Sequence, residues 1–135
     1  MDGAAVLARL EEALNAHDLE LLVGCFDEQV VSEQPVHPSR GFRGRAQLEK
    51  NWTQLFAALP DLEATLVRSA VDGSVVWAEW DWRAHRADGG KADMRGVTVL
   101  GVDGDQIGWV RFYIDPVEQD GAGIDAAIRE HVASS

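Results

Sequence analysis

The segment GVTVLGVDGDQIGWVRFYID, residues 96–115, reads as a β-hairpin. Two runs that alternate with a period of two flank Asp103-Gly104, a dipeptide suited to a tight turn. In the second run Trp109, Arg111, Tyr113 and Asp115 share one face, and Val110, Phe112 and Ile114 share the other. Pro116 ends it.

Moving outward, residues 62–70 and 74–86 continue the same period, with 92–102 and 106–115 completing four strands. Asp72-Gly73 and Asp88-Gly89-Gly90 separate the earlier ones, so the four form an antiparallel meander. Before Pro60 the period is helical. Val6, Leu10, Ala13 and Leu14 mark one helix. Leu19, Leu22, Val23 and Phe26 mark a second, which Asp18 is placed to cap. Leu48, Trp52, Leu55, Phe56 and Leu59 mark a third and longest one. Residues 30–44, VVSEQPVHPSRGFRG, form an irregular connection after a short strand at 30–33. Ile124, Ala127, Ile128 and Val132 predict a last helix. Helices followed by hairpins indicate a single α+β domain spanning residues 1–135, in which a curved antiparallel sheet wraps around the N-terminal helices as a half-open cone. The mouth of such a cone is a natural pocket.

The composition bounds the function. A net charge of -11, from 12 basic and 23 acidic residues, opposes nucleic acid and anionic membrane surfaces. No apolar run approaches the roughly 20 residues of a membrane span, and no signal peptide is visible, so a cytoplasmic location is expected. Cys25, the single cysteine, lies on an apolar helical face and reads as a small buried hydrophobe. The histidines at 17, 37, 85 and 131 are scattered; neither a metal nor a cofactor is expected.

Within the strand VVWAEWDWRAHR, residues 75–86, Val76, Ala78, Trp80, Trp82 and Ala84 face inward, and Trp77, Glu79, Asp81, Arg83 and His85 face outward. Trp80 and Trp82 then make a flat aromatic wall, either plain core or a surface for a ring-bearing ligand. In the opposite register Glu79 and Asp81 would be a carboxylate pair; otherwise they belong to a solvated or dimer-facing surface with Arg83. If the mixed face of residues 109–115 lines the pocket, Asp115 is a candidate acid/base group, with Arg111 tuning its charge and Tyr113 donating to a substrate oxygen. The alternative is an Arg111–Asp115 ion pair of structural purpose. His37 is a second acid/base group or an ordinary loop residue. Glu33 or Gln34 is expected to point inward from the short strand and Trp52 to pack on the sheet; Glu33, Trp52 and His37 join Trp80 and Trp82 as ligand-contact candidates. Met94 and Thr98 are further lining candidates.

Three stretches carry a family resemblance: ALNAHDLELLVGCFDEQVVSEQP (residues 13–35), GRAQLEKNWTQLFAALPDLEA (44–64) and the hairpin at 96–115. Together they resemble the nuclear transport factor 2-like cone and its SnoaL-like group, which includes ketosteroid isomerases, polyketide cyclases and limonene epoxide hydrolases. The resemblance implies a cofactor-free protein acting on or holding a small hydrophobic, cyclic molecule, and a homodimer joined through the outer sheet face, where Trp77 and Trp109 are candidates. The isomerase base falls at Gln34 and its oxyanion-hole tyrosine at Leu10. The second aspartate of the epoxide hydrolases, and the pocket aspartate of the cyclases, fall on Asp115. The hydrolase arginine and first aspartate fall near Trp80 and Trp82, or in a shifted register at Glu79 and Asp81; its tyrosine and asparagine fall near Val31 and Glu33. The reaction implied is isomerisation, cyclisation, dehydration or epoxide opening by Asp115; a non-catalytic binding module or a dimeric scaffold is the alternative.

Overall fold

Asp2 opens the first helix by accepting the Ala5 amide on its carboxylate at 2.9 Å. The computed structural model describes residues 2–133. Helix α1 (Gly3–Ala16) buries Val6, Leu7, Leu10, Ala13 and Leu14 on one stripe. Each buried Leu or Val contributes roughly 1.5–3 kcal/mol, against differences of about 0.7 kcal/mol in intrinsic propensity, so packing holds this helix in place. His17 ends it in a left-handed conformation, φ 53°. Its Nε2–H donates to the Leu62 carbonyl at 2.8 Å, and its ring stacks on Phe56 at 4.7 Å.

Asp18 caps the short α2 (Leu19–Gly24) through the Leu21 amide at 3.0 Å, as its position predicts. Cys25 is fully buried and its thiol donates to the Leu21 carbonyl; burial pushes its pKa up, outweighing the pull of Arg9. The apolar spacing around Phe26 predicts continued helix, but Phe26 begins β1 (Phe26–Glu33) instead. A turn at Pro38–Arg40 leads to β2 (Phe42–Arg43) and then α3 (Arg45–Ala58). The meander follows as β3 (Glu63–Asp72), β4 (Val75–Arg83), β5 (Met94–Asp103) and β6 (Gln106–Pro116), and α4 (Ile124–Ala133) closes the described chain.

The six strands form one open sheet in the order β2-β1-β6-β5-β4-β3. The meander is antiparallel as expected. The sheet as a whole is mixed, because β1 lies parallel to β6, with Val31 opposite Trp109, Ser32 opposite Val110 and Glu33 opposite Arg111. The free edge of β3 is covered by α1. Asn15 exchanges two hydrogen bonds with the Ala64 backbone, at 2.7 and 2.9 Å, and Glu11 accepts the Leu66 amide at 3.1 Å. Side chains thus satisfy groups that an exposed edge would offer to another strand. Among the described residues no helix is long and apolar enough to cross a membrane.

Candidate functional site

The inner face of the sheet and the helices leave a cavity of about 150 Å³ between them. The alternation of β4 sends Trp80 and Trp82 inward, 1% and 3% exposed. From β5 come Thr98 and Leu100, from β6 Val110 and Phe112, and from α1 Leu10 and Leu14. Helix α3 roofs the hollow with Leu48, Asn51, Trp52 and Leu55. Of these only Leu48 is fully buried, as befits a helix lying over a space rather than over packed core.

Trp82 is the hub of the aromatic cluster. Its ring centroid lies 5.7 Å from Trp52, 6.1 Å from Trp80 and 5.8 Å from Phe112, with interplanar angles of 65°, 67° and 62°. The expected flat wall is therefore corrected to edge-to-face packing, the arrangement that ring quadrupoles favour. Trp80 donates its indole N–H to Thr98 Oγ1 at 2.9 Å, whereas the buried Nε1 of Trp82 has no partner among the described residues.

The alternation expected for β6 holds, but its apolar face rather than its mixed one points inward. Gly108 is the extra residue of a bulge, since Gly101 pairs with Trp109 and Val102 with Ile107. Val110, Phe112 and Ile114 consequently face the interior, and Trp109, Arg111 and Tyr113 face out. The physical reason is desolvation: no carboxylate lies on the inner face to pair with Arg111, and an unpaired charge there costs several kcal/mol. The indole of Trp109 lies against Gly101, where a Cβ would meet its ring nitrogen at 1.8 Å.

Asp115 sits near the end of β6, half-exposed and outside the cavity lining. It is held by His37 Nε2 at 2.9 Å, with side-chain exposures of 35% for His37 and 47% for Asp115. The parallel pairing of β1 with β6 carries the loop after Glu33 along toward Asp115. Two candidates are thus brought together, but Arg111 is not Asp115's ion-pair partner among the described residues. Glu33 is exposed beside Arg111 rather than inward. Trp52, Trp80, Trp82 and Thr98 line the cavity, whereas Met94 belongs to a second, more open groove with Leu55 and Pro116. On the outer face Arg83 and Arg95 each reach Asp81 at 3.2 Å, and Arg68 reaches Glu79 at 2.9 Å. Burial raises the Asp81 pKa, but the two guanidinium groups outweigh it, and the net direction is downward.

Among the described residues the cavity lining therefore contains no Asp, Glu, His, Lys, Arg, Cys or Tyr. Its polar members are Ser32, Gln34, Asn51 and Thr98, besides the three indoles of Trp52, Trp80 and Trp82. Gln34 and Leu10, where the resemblance puts the isomerase base and oxyanion donor, both line it; an amide is a very poor proton abstractor, and leucine has no donor for an oxyanion. Among the described residues no group of three His, Cys, Asp or Glu is placed to hold a metal. Asn51 and Ser32 are polar lining residues that sequence reasoning missed, and Phe112 lines the cavity from the face it did not favour; for Asn51 a signal was present. Its spacing from Leu48, three residues on the same helix, was the available signal.

The family model for the SnoaL-like domain matches residues 7–109. No functionally curated protein matches. Several solved structures share the fold. One is a protein of ketosteroid isomerase-like fold from Catenulispora acidiphila, solved in complex with trimethylamine; it is 15% identical, covering 84% of this chain and 87% of that one, with a TM-score of 0.71. Wild-type IdmH of Streptomyces antibioticus, described as a proposed polyketide cyclase, is 21% identical over 83% of this chain and 91% of that one, with a TM-score of 0.72. An uncharacterised cystatin-fold protein from Novosphingobium aromaticivorans is 20% identical over 84% and 98%, with a TM-score of 0.69. At these identities the likeness establishes the fold alone.

Proposed function

The chain belongs to the SnoaL-like domain family, and from that premise we propose that it binds a small, uncharged, largely apolar molecule containing a ring. The observation that carries this reading is a cavity walled by one cluster of four aromatic rings, Trp52, Trp80, Trp82 and Phe112, with no ionisable side chain among the described residues that line it. An ionised ligand would lose its hydration with no countercharge to replace it, at a cost of several kcal/mol. The test is calorimetric titration with acetophenone, benzoate and benzylammonium, which share one ring and differ in charge. The reading expects acetophenone to bind and the two ions to bind at least tenfold more weakly. Benzoate binding as tightly as acetophenone would contradict it.

A second reading is favoured by one specific contact, the 2.9 Å pairing of His37 with Asp115. In it the protein is a cofactor-free enzyme, and Asp115, oriented by His37, exchanges protons with a part of the substrate that extends beyond the cavity; isomerisation, cyclisation, dehydration and epoxide opening all need such a group. Arg111 and Tyr113, on the outer face, fall outside that arrangement. A nitrobenzisoxazole, whose ring opens when a base removes its C–H proton, reports on it directly. Turnover that drops at least tenfold in Asp115→Asn supports this reading, and turnover unchanged in that variant removes it.

The outer sheet face supports a homodimer. Trp77, Trp109 and Tyr113 are 50%, 37% and 38% exposed there, and large exposed aromatics mark contact surfaces.

A further inference from the structure

The hollow is small. It measures about 150 Å³, and a dry cavity of about that size is filled by one benzene, whereas ordinary ligand pockets begin near about 300 Å³. Whatever a ring carries beyond itself must therefore leave the hollow. The way out is on one side. Gln34, Phe42, Asn51, Trp52, Leu55 and Phe112 are half-buried, and every other lining residue is buried.

On that side a groove of about 1080 Å³ lies between the C-terminal end of α3 and the rim of the sheet. Leu55 lines both spaces. Met94, in the groove, is the cross-strand partner of Trp82, in the hollow, and Pro116 is the partner of Met94 on the next strand. Directly opposed residues share a face, so the inner sheet surface passes from hollow to groove without a break. Ala58, Leu59 and Val117 keep the groove largely apolar. Its charged lining groups are Arg86, Lys91 and Asp93, two cations against one carboxylate, on a chain whose net charge is -11. Asp93 Oδ1 is held by the Ala84 amide at 3.3 Å, and Arg86 lies 3.6 Å from Asp88. The Lys91 ammonium makes no ion pair among the described residues.

We propose that hollow and groove are one site for an amphiphilic anion: a ring bearing an unbranched apolar chain that ends in a carboxylate. The ring fills the hollow, the chain leaves past Leu55 along Met94 and Pro116, and the carboxylate ends beside Lys91. The proposal rests on the reading above, that the hollow takes an uncharged ring; it adds that a charge is admitted where the chain carries it clear of the hollow. Benzoate, whose charge sits on the ring, stays excluded.

Calorimetric titration with phenylethanol and phenyloctanol, neutral and different only in chain length, tests the chain. A fully buried methylene is worth about fourfold in affinity, and half that burial in an open groove about twofold, so phenyloctanol is expected to bind at least about tenfold more tightly. Acetophenone is expected to displace it, because both rings need the hollow. Ala58→Glu alters an exposed groove residue and is expected to remove most of the gain from the chain, while acetophenone, still bound, reports an intact hollow. Phenyloctanoate and phenyloctylamine test the end of the chain. At physiological ionic strength the carboxylate is expected to bind about twofold to fivefold more tightly, the worth of an exposed ion pair, and Lys91→Glu is expected to reverse the order. No gain from the chain, a gain untouched by Ala58→Glu, or phenyloctanol that acetophenone does not displace overturns the joint site and leaves the hollow reading intact. An ammonium bound as tightly as the carboxylate by the wild type overturns the proposed ligand class. Failure of acetophenone and phenylethanol alike to bind overturns the hollow reading, and this proposal with it.

Discussion

Trp80 and Trp82 are two residues apart on one strand face, yet their polar atoms differ: one indole N–H is satisfied by Thr98 and the other has no side-chain or backbone partner. Replacing Thr98 with the near-isosteric valine strands the Trp80 donor in the core. The expected cost is about 1–3 kcal/mol, read as a lower midpoint of urea unfolding with an unchanged slope. A shift of less than about 0.5 kcal/mol, the size of an ordinary surface substitution, would show that this hydrogen bond contributes little. That both tryptophans turn inward was legible from alternation with Glu79, Asp81 and Arg83, because the charged set cannot be buried unpaired. The face of residues 109–115 was harder. Arg111, Tyr113 and Asp115 alternate with Val110, Phe112 and Ile114, and both faces carry aromatics, so neither is plainly polar. The bulge at Gly108, which buries both Ile107 and Val110, has no signature beyond the glycine itself.

At the scale of elements, β5 depends on Gly96. It has φ 155°, pairs with Trp80 on one side and Ile114 on the other, and leaves no room for a Cβ, which would meet the Tyr113 carbonyl oxygen at 2.0 Å. Gly96→Ala is therefore expected to destabilise the fold by at least about 1–3 kcal/mol, the scale of backbone strain, and a melting temperature equal to that of the wild type would contradict this. The helix-then-meander order, the turns and the capping aspartate were readable because each is a local signal. The start of β1 was not: Phe26 extends a helical spacing of apolar residues, and only its contact with the sheet decides for strand. Short apolar runs carry this ambiguity generally.

At the scale of the whole molecule, the cone-like α+β architecture followed from the sequence, whereas the parallel pairing of β1 with β6 did not. That pairing joins segments about 80 residues apart, and nothing local announces it. It is also what brings His37 to Asp115. We propose the outer sheet face as a dimer interface: sedimentation is then expected to give twice the 14.8 kDa chain mass, and Trp77→Glu, which puts a charge on the most exposed aromatic of that face, is expected to shift the protein to monomer. A monomeric wild type would contradict the outer face as an interface. The account's central claim concerns the other face, the uncharged hollow under α3. A crystal structure with acetophenone bound tests it most directly. The account predicts the ring among Trp52, Trp80, Trp82 and Phe112. Acetophenone seated instead on the outer face beside Arg111 and Tyr113, with the hollow filled by the protein's own side chains, would contradict it.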